Sequence, residues 1–467
     1  MNEYAATLSI DLGASYTKVS YRPKLPQGNR PQSEAAAKIL VLDGSPLIPS
    51  LAIYTGRVDR PWVFGREAAL QPMAAGMSRF INWKSNFFRE GNDEHSVEAA
   101  IIAVHFFGWL RERLVGSDAN PENCETRVAI PAFDGKEKKA QMLAKCMELS
   151  GWKSIKILMA TEPHANTIGI YTSGKNVVRI YQENNEVLPH YGLMFGQNEY
   201  ILAARNMIQF NANPILKILI VDIGAFTTDF ALLTFDTRAE HDGLQNIDQQ
   251  SSHALGVINQ LDRAVFSKLE ARYGFDWSTN TFDDAEKQKK KLYAGERVPI
   301  LLAGFAGDIG DEEDQQSVTS LAAAFAGQIW AEMESLLQRE QPRKVYLTGG
   351  GALIDPVIQV LQSKLSDAHC NHAVLRADAD VLPPTDLTGE PLVKWTTLQD
   401  SNESLGRLAT AIGGASVIMQ HNGLKYGSGP LPVVRLPEPV IDYAECSCNG
   451  GNKDCCRCMG RGFVSRR

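Results

Sequence analysis

Two widely separated segments share one grammar, and that grammar limits what the chain can become. An apolar strand runs into Asp-x-Gly, small or hydroxyl residues follow, and a second apolar run begins. The first segment is Leu8-Ser9-Ile10-Asp11-Leu12-Gly13-Ala14-Ser15-Tyr16-Thr17-Lys18. The second is Ile218-Leu219-Ile220-Val221-Asp222-Ile223-Gly224-Ala225-Phe226-Thr227-Thr228-Asp229. A hairpin turning on Asp-x-Gly can aim backbone N–H groups and hydroxyls at an anion, while the Asp holds a hydrated metal ion. One such turn is ordinary hairpin punctuation. Two in register, followed by Val345-Tyr346-Leu347-Thr348-Gly349-Gly350-Gly351-Ala352, point to a nucleotide clamped between two related halves.

The rest of the chain fits that reading. Its 467 residues are enough for two or more domains. A hydrophobic share of 44% against 22% charged residues leaves ample core for an ordinary globular protein. A net charge of −7 argues against nucleic acid as the main partner. The first strand begins without the basic and apolar regions of a secretion signal, which predicts a cytoplasmic protein. The stretches Ala99 to Leu110 and Ile215 to Leu233 are too short or too polar to span a bilayer, so no membrane association is expected. Residues 7–21 and 38–54 read as strands. Helical spacing marks 96–114, 135–150, 259–273, 285–292, 321–339, 353–365 and 404–419, and Pro163 suits the first position of another helix. Strands with helices, then the same again, predict an α/β protein of two lobes related by an internal pseudo-repeat. Frequent proline and glycine from Asn422 to Ile441 read as a linker.

The ordered loops resemble those of the superfamily of actin, sugar kinases and the seventy-kilodalton heat-shock chaperones, from about residue 7 to about residue 420. Ile48-Pro49-Ser50-Leu51-Ala52-Ile53-Tyr54, Phe64-Gly65-Arg66-Glu67-Ala68-Ala69, Val128-Ala129-Ile130-Pro131-Ala132-Phe133 and Thr161-Glu162-Pro163-His164-Ala165-Asn166 look like the chaperone branch. The resemblance implies a two-lobed actin-like ATPase fold of duplicated ribonuclease-H-like domains. Its lobes would be 1–215 and 216–421, followed by a linker at 422–441 and a small zinc-binding segment at 442–467. Residues 171–214 exceed the chaperone pattern and read as an insertion of unknown role.

The resemblance also assigns residues. Asp11 and Asp222 would flank Mg2+, Glu162 would order metal-bound water, and Thr227 and Asp229 would be the hydroxyl and second acid of the second loop. Asp11, Glu162, Asp222 and Thr227 are thus the expected catalytic set. Gly13, Ala14, Ser15 and Thr17, with Gly224, Ala225, Phe226 and Thr227, would wrap the phosphates of ATP or ADP. Glu286, Lys289 and Lys290 would hold ribose and adenine, and Gly349, Gly350 and Gly351 would pass under the base, where a Cβ would collide. Three positions depart from the pattern. Phe226 stands where many relatives carry glycine, and Leu353 where the chaperones often carry an adenine-stacking arginine. Ala69 stands where the resemblance expects the lysine that faces the γ-phosphate. Lys18 is the candidate replacement, at the spacing from Asp11 at which actin and plasmid-segregating filament proteins carry a phosphate-touching lysine.

Of eight cysteines, Cys124, Cys146 and Cys370 are scattered and read as small core residues. The others crowd the end. Cys455-Cys456-Arg457-Cys458-Met459-Gly460-Arg461-Gly462 contains C-x-x-C-x-G-x-G, a spacing that puts two thiolates on one tetrahedral zinc. It resembles a half-site of the zinc domain in J-domain co-chaperones. Cys446, Cys448, Cys455 and Cys458 are the expected Zn2+ ligands, with Cys456 an open alternative to Cys455. His164, His190 and His253 show no ligand spacing, and Trp62, Trp83, Trp109 and Trp152 read as core.

The expectation is a heat-shock-chaperone-like protein that binds ATP, hydrolyses it slowly as a Mg-dependent ATPase, and couples nucleotide state to lobe closure. Its partner would be a protein client or a co-chaperone-like protein, without the β-rich substrate-binding domain of a full chaperone. The rival is an actin-like, filament-forming cytoskeletal or segregation ATPase, which keeps homo-oligomerisation open. A sugar or acetate kinase trails for want of an acceptor-binding acid. A nucleotide-binding pseudo-enzyme is a fourth reading, on account of Ala69.

Overall fold

The computed structural model describes residues 6–23, 37–74, 76–89, 94–132, 136–153, 155–170, 172–173, 215–236, 244–253, 256–302, 304–375, 393–398, 401, 403–416, 442–445 and 463–466. Each Asp-x-Gly segment is a tight antiparallel hairpin. Ala6–Leu12 pairs with Tyr16–Pro23, and Ile215–Ile223 pairs with Thr228–Asp236. The turns close on backbone bonds, Gly13 N–H to the Asp11 carbonyl at 3.1 Å and Gly224 N–H to the Thr227 carbonyl at 2.9 Å. A Cβ at Gly13 would sit 2.2 Å from the Tyr16 carbonyl oxygen, and one at Gly224 would sit 2.6 Å from that of Thr227. Only glycine lets these turns close.

Both hairpins found sheets of the same order. In the first sheet, Lys38–Leu42, Tyr16–Pro23 and Ala6–Leu12 run antiparallel, and Cys124–Ile130 and Ile155–Thr161 continue in parallel. In the second, Leu244–His253, Thr228–Asp236 and Ile215–Ile223 run antiparallel, with Lys344–Thr348 and His372–Val374 in parallel. The protein is therefore mixed α/β, and its two large sheets repeat one strand pattern. Parallel neighbours need helical crossovers. Glu94–Leu114 fills that role in the first half, and the 29-residue helix Glu312–Glu340 in the second.

The cores follow the sheets. One apolar cluster joins the first sheet to the helices Glu94–Leu114 and Lys136–Leu149, through Phe106, Phe107, Leu110 and Met147. Another joins the second sheet to the helices Ile258–Tyr273, Glu312–Glu340 and Asp355–Asp367. A third lies between the sheets. It holds Ala165 and Ile168 from the helix at 162–170, Leu408, Ala409 and Ile412 from the helix Leu405–Gly414, and Ile218, Ile220 and Tyr346 from the second sheet. Those two helices cross at glycines: a Cβ on Gly413 would fall 1.8 Å from the Ala165 carbonyl oxygen, and one on Gly169 1.9 Å from that of Ala409.

Two elements from beyond residue 216 join the first sheet. Val393–Thr396, from the stretch assigned to the second lobe, pairs with Lys38–Leu42 at the edge of the first sheet. The helix Leu405–Gly414 likewise packs on the first sheet, and Ser20 Oγ donates to the Ala411 carbonyl at 2.6 Å. Buried Arg127 secures the end of that helix, donating from Nη1 to the carbonyls of Gly414 and Ser416 at 3.2 and 2.9 Å. The chain thus returns to its first half before residue 416. Among the described residues, no helix is long and apolar enough to cross a membrane. Nearly all of 171–214, the 422–441 stretch and Cys446, Cys448, Cys455, Cys456 and Cys458 lie outside the described residues.

Candidate functional site

The turns of the two hairpins open into one cavity of about 630 Å3, lined by both sheets' loops and by the helix Phe282–Tyr293. That volume lies in the range of small-molecule sites. Asp11, Glu162, Asp222 and Thr227 all line it, as do Gly13, Ala14, Ser15, Lys18, Gly224, Ala225, Glu286, Lys289, Lys290, Gly349 and Gly350. Of the sites foreseen from the sequence and described by the structure, Gly351 stands apart. It underlies the site, because a Cβ there would meet Ile223 Cγ2 at 2.2 Å. Thr17 also faces away from the cavity and shares a 2.8 Å hydrogen bond with Ser50.

The floor is a network of carboxylates and lysines. Strand register places Lys18 opposite Asp11, and Lys18 Nζ donates to Asp11 Oδ2 at 2.7 Å. The same register in the second hairpin places Asp229 opposite Asp222, so an acid occupies the position that Lys18 holds in the first. Thr227 Oγ1 donates to Asp229 Oδ2 at 3.3 Å. Asn166, on the helix at 162–170, donates to Asp222 Oδ2 at 2.6 Å and reaches Thr410 at 3.3 Å, which ties Asp222 to both central helices. Gly349, with φ +86°, brings its backbone against the same acid: a Cβ there would stand 2.1 Å from Asp222 Oδ1.

Lys84 was not foreseen. It lies on the short helix Trp83–Phe88, only 3% exposed, and its Nζ donates to Glu162 Oε1 at 2.5 Å. The stripe Trp83, Lys84, Phe87 and Phe88 is buried, so a lysine on an otherwise apolar helical face was the legible signal. Ala69, by contrast, is fully buried in an apolar cluster and does not face the cavity. On the floor of the cavity, Lys18 is paired with Asp11 and Lys84 with Glu162.

Electrostatics mark the floor as a place that favours cations. Burial pushes the Asp222 carboxyl up to about 7 against the pull of Lys18, with Asp11 and Glu162 adding to the rise. Burial also raises Glu162; Lys84 opposes this and Asp11 reinforces it. Such carboxylates gain most from a divalent ion, which would draw both back to the charged form. Among the described residues no three His, Cys, Asp or Glu side chains converge as a metal cage. Two carboxylates acting through water suit hydrated Mg2+, which takes few protein ligands.

The far wall comes from the helix Phe282–Tyr293, started by Thr281, whose Oγ1 accepts from Asp284 N–H at 3.1 Å. Lys289 bridges Asp262 at 2.9 Å and Glu286 at 2.5 Å, and Tyr293 donates to Asp262 at 2.7 Å. Burial pulls the Lys289 ammonium down, but Asp262 and Glu286 outweigh it and hold it above its usual range. Leu353 and Ile354 give this end an apolar surface, and Arg407 lies 5.6 Å over the Tyr16 ring. Phe226 lines the cavity and also packs against the core of the first half, a contact that glycine could not make. No family model and no curated protein matches the chain.

Proposed function

We propose that the protein is a Mg-dependent, ATP-binding ATPase of the two-lobed actin-like fold, related in design to the heat-shock chaperones. What carries the reading is one juxtaposition. Asp11 and Asp222, from turns of matching grammar on sheets of matching order, face a single cavity beside Gly349 and Gly350. The glycine turns offer backbone N–H groups to phosphates, and the opposite wall offers Glu286, Lys289 and an apolar shelf to a nucleoside.

Within that reading, Asp11 and Asp222 would hold hydrated Mg2+, which would supply neutralisation of phosphate charge. Phosphoryl transfer needs positioning and charge neutralisation above all. Lys18 and Lys84 supply the cations near the terminal phosphate, so Ala69 does not imply a lost activity. As Lys84 turns to the phosphate, Glu162 is released from its ion pair and can orient the attacking water. Asn166 keeps Asp222 aligned, and because it also bonds Thr410 it carries nucleotide state to the two crossing helices. Client or co-chaperone-like binding, and Zn2+ on Cys446, Cys448, Cys455 and Cys458, belong to the same proposal.

Calorimetric titration of Mg-ATP into wild-type protein, Asp11→Asn and Asp222→Asn tests it. Saturable, one-site binding in the wild type that weakens at least about tenfold, 1.4 kcal/mol, in each variant is expected. Absence of wild-type binding, or affinity unaltered in both variants, would overturn it.

A further inference from the structure

One small apolar cluster draws on both halves. It is made by Leu51, Ile53, Val63, Ala68 and Ala69 from the first half, and by a single residue from far along the chain, Phe282. Phe282 opens the helix that carries Glu286, Lys289 and Lys290 into the cavity. Its ring also meets Tyr16 edge-on at 6.0 Å, and Tyr16 lines the cavity. Polar contacts flank the insertion. Arg66 Nη1 reaches Asp283 Oδ1 at 2.5 Å, and Arg79 Nη1 donates to the Asn280 carbonyl at 2.7 Å. Lys287 Nζ lies 2.8 Å from Asp283 Oδ2.

We infer that Phe282 is a positioning residue and the release gate of the cavity. Seated in the cluster that holds Ala68 and Ala69, and against the Tyr16 ring, it fixes the cavity-lining helix relative to the turn that carries Asp11 and Lys18. A ligand held by both walls leaves only when the ring withdraws. This gives Ala69 a reason of its own. Position 69 is fully buried in the same cluster as the ring, and a longer side chain there would overfill that cluster. A ring in an apolar socket is indifferent to salt, unlike a gate made of exposed ion pairs.

The inference rests on the nucleotide reading for the identity of the ligand, but not for the gate. Two readouts separate them. Release of N-methylanthraniloyl-ADP, chased by excess ATP in a stopped-flow instrument, should be at least tenfold faster in Phe282→Ala than in the wild type. Phe282→Leu should recover much of the difference. In nucleotide-free protein, amide hydrogen exchange across 283–293 should quicken in Phe282→Ala while exchange in the strand 344–348 is unchanged, which a general loss of stability would not produce. Ala69→Leu, which fills the socket instead of emptying it, should act in the same direction and serves if Phe282→Ala does not fold. Folded variants with unaltered release and unaltered exchange would overturn the gate. Wild-type protein that does not bind the ADP probe would overturn the nucleotide reading, and the exchange result would still decide whether Phe282 latches the wall.

Discussion

Asp222→Asn should stabilise the nucleotide-free protein at neutral pH while abolishing its use of Mg-nucleotide. With no divalent ion beside it, the Asp222 carboxyl is pushed from its ordinary 3.8 up to about 7, chiefly by burial. A group raised in the folded state binds more protons there than in the unfolded chain. Its contribution to stability is therefore full below about pH 4 and is lost as pH climbs through about 7. A shift of roughly three units caps the effect at about 4 kcal/mol. Asp222 is half-buried at the cavity floor, and the charges of Lys18, Asp11, Glu162 and Lys84 share its titration, so about 1–2 kcal/mol is the expected size after screening. Asparagine keeps the shape, and its amide oxygen can still accept from Asn166. Thermal unfolding in EDTA from pH 4 to 8 reads the difference, at about 2–4 °C per kcal/mol in a domain of this size. The variant should match the wild type at pH 4 and exceed it by pH 8, and Mg-ATP should then raise the midpoint of the wild type alone. Parallel curves across the range, or a variant less stable at pH 8, would refute the electrostatic account of the floor.

Other outcomes follow from the same geometry. Lys84→Met leaves Glu162 buried without its cation and should cost about 3 kcal/mol, most of it recovered in Lys84→Met/Glu162→Gln, as chemical denaturation of both variants would show. The same single change should slow single-turnover ATP hydrolysis more than it weakens ADP binding. Gly349→Ala would drive a Cβ into Asp222 from a left-handed backbone position, so it should lose at least about 1–3 kcal/mol and bind Mg-ATP poorly in titration. Gly413→Ala would push the central helices apart and should lower the thermal midpoint by an amount equivalent to about 1–3 kcal/mol.

The parts of this site that were legible in the sequence are those that local chain chemistry dictates. Asp11-Leu12-Gly13 and Asp222-Ile223-Gly224 are hairpins because glycine alone allows their turns, and apolar strands on either side announce the sheets. The long helix Glu312–Glu340 carried a clear period, although its acidic first turn, capped by Asp311, begins nine residues before Leu321. What stayed hidden depends on residues that meet only in space. Lys84 sits among Trp83, Phe87 and Phe88, so its helix reads as core until Glu162 is brought to it. Ala69 looked like a missing catalytic group and is instead part of a socket, because the ring that fills it comes from Phe282. The strand Val393–Thr396 and the helix Leu405–Gly414 return to the first sheet, and no local pattern specifies which sheet edge a late segment will join. The hairpin of Val298–Leu302 and Phe305–Ile309 was also unforeseen, since its exposed Leu301 breaks the usual polar-outward alternation.

The most direct measurement is a crystal structure with Mg2+ and a non-hydrolysable ATP analogue. Phosphates contacted by backbone N–H groups of both the Gly13–Ser15 and Gly224–Phe226 turns, with Asp11 and Asp222 facing one ion and Lys18 or Lys84 turned to the terminal phosphate, is the expected result. An analogue bound outside the cavity, or touching only one of the two turns, would contradict the account.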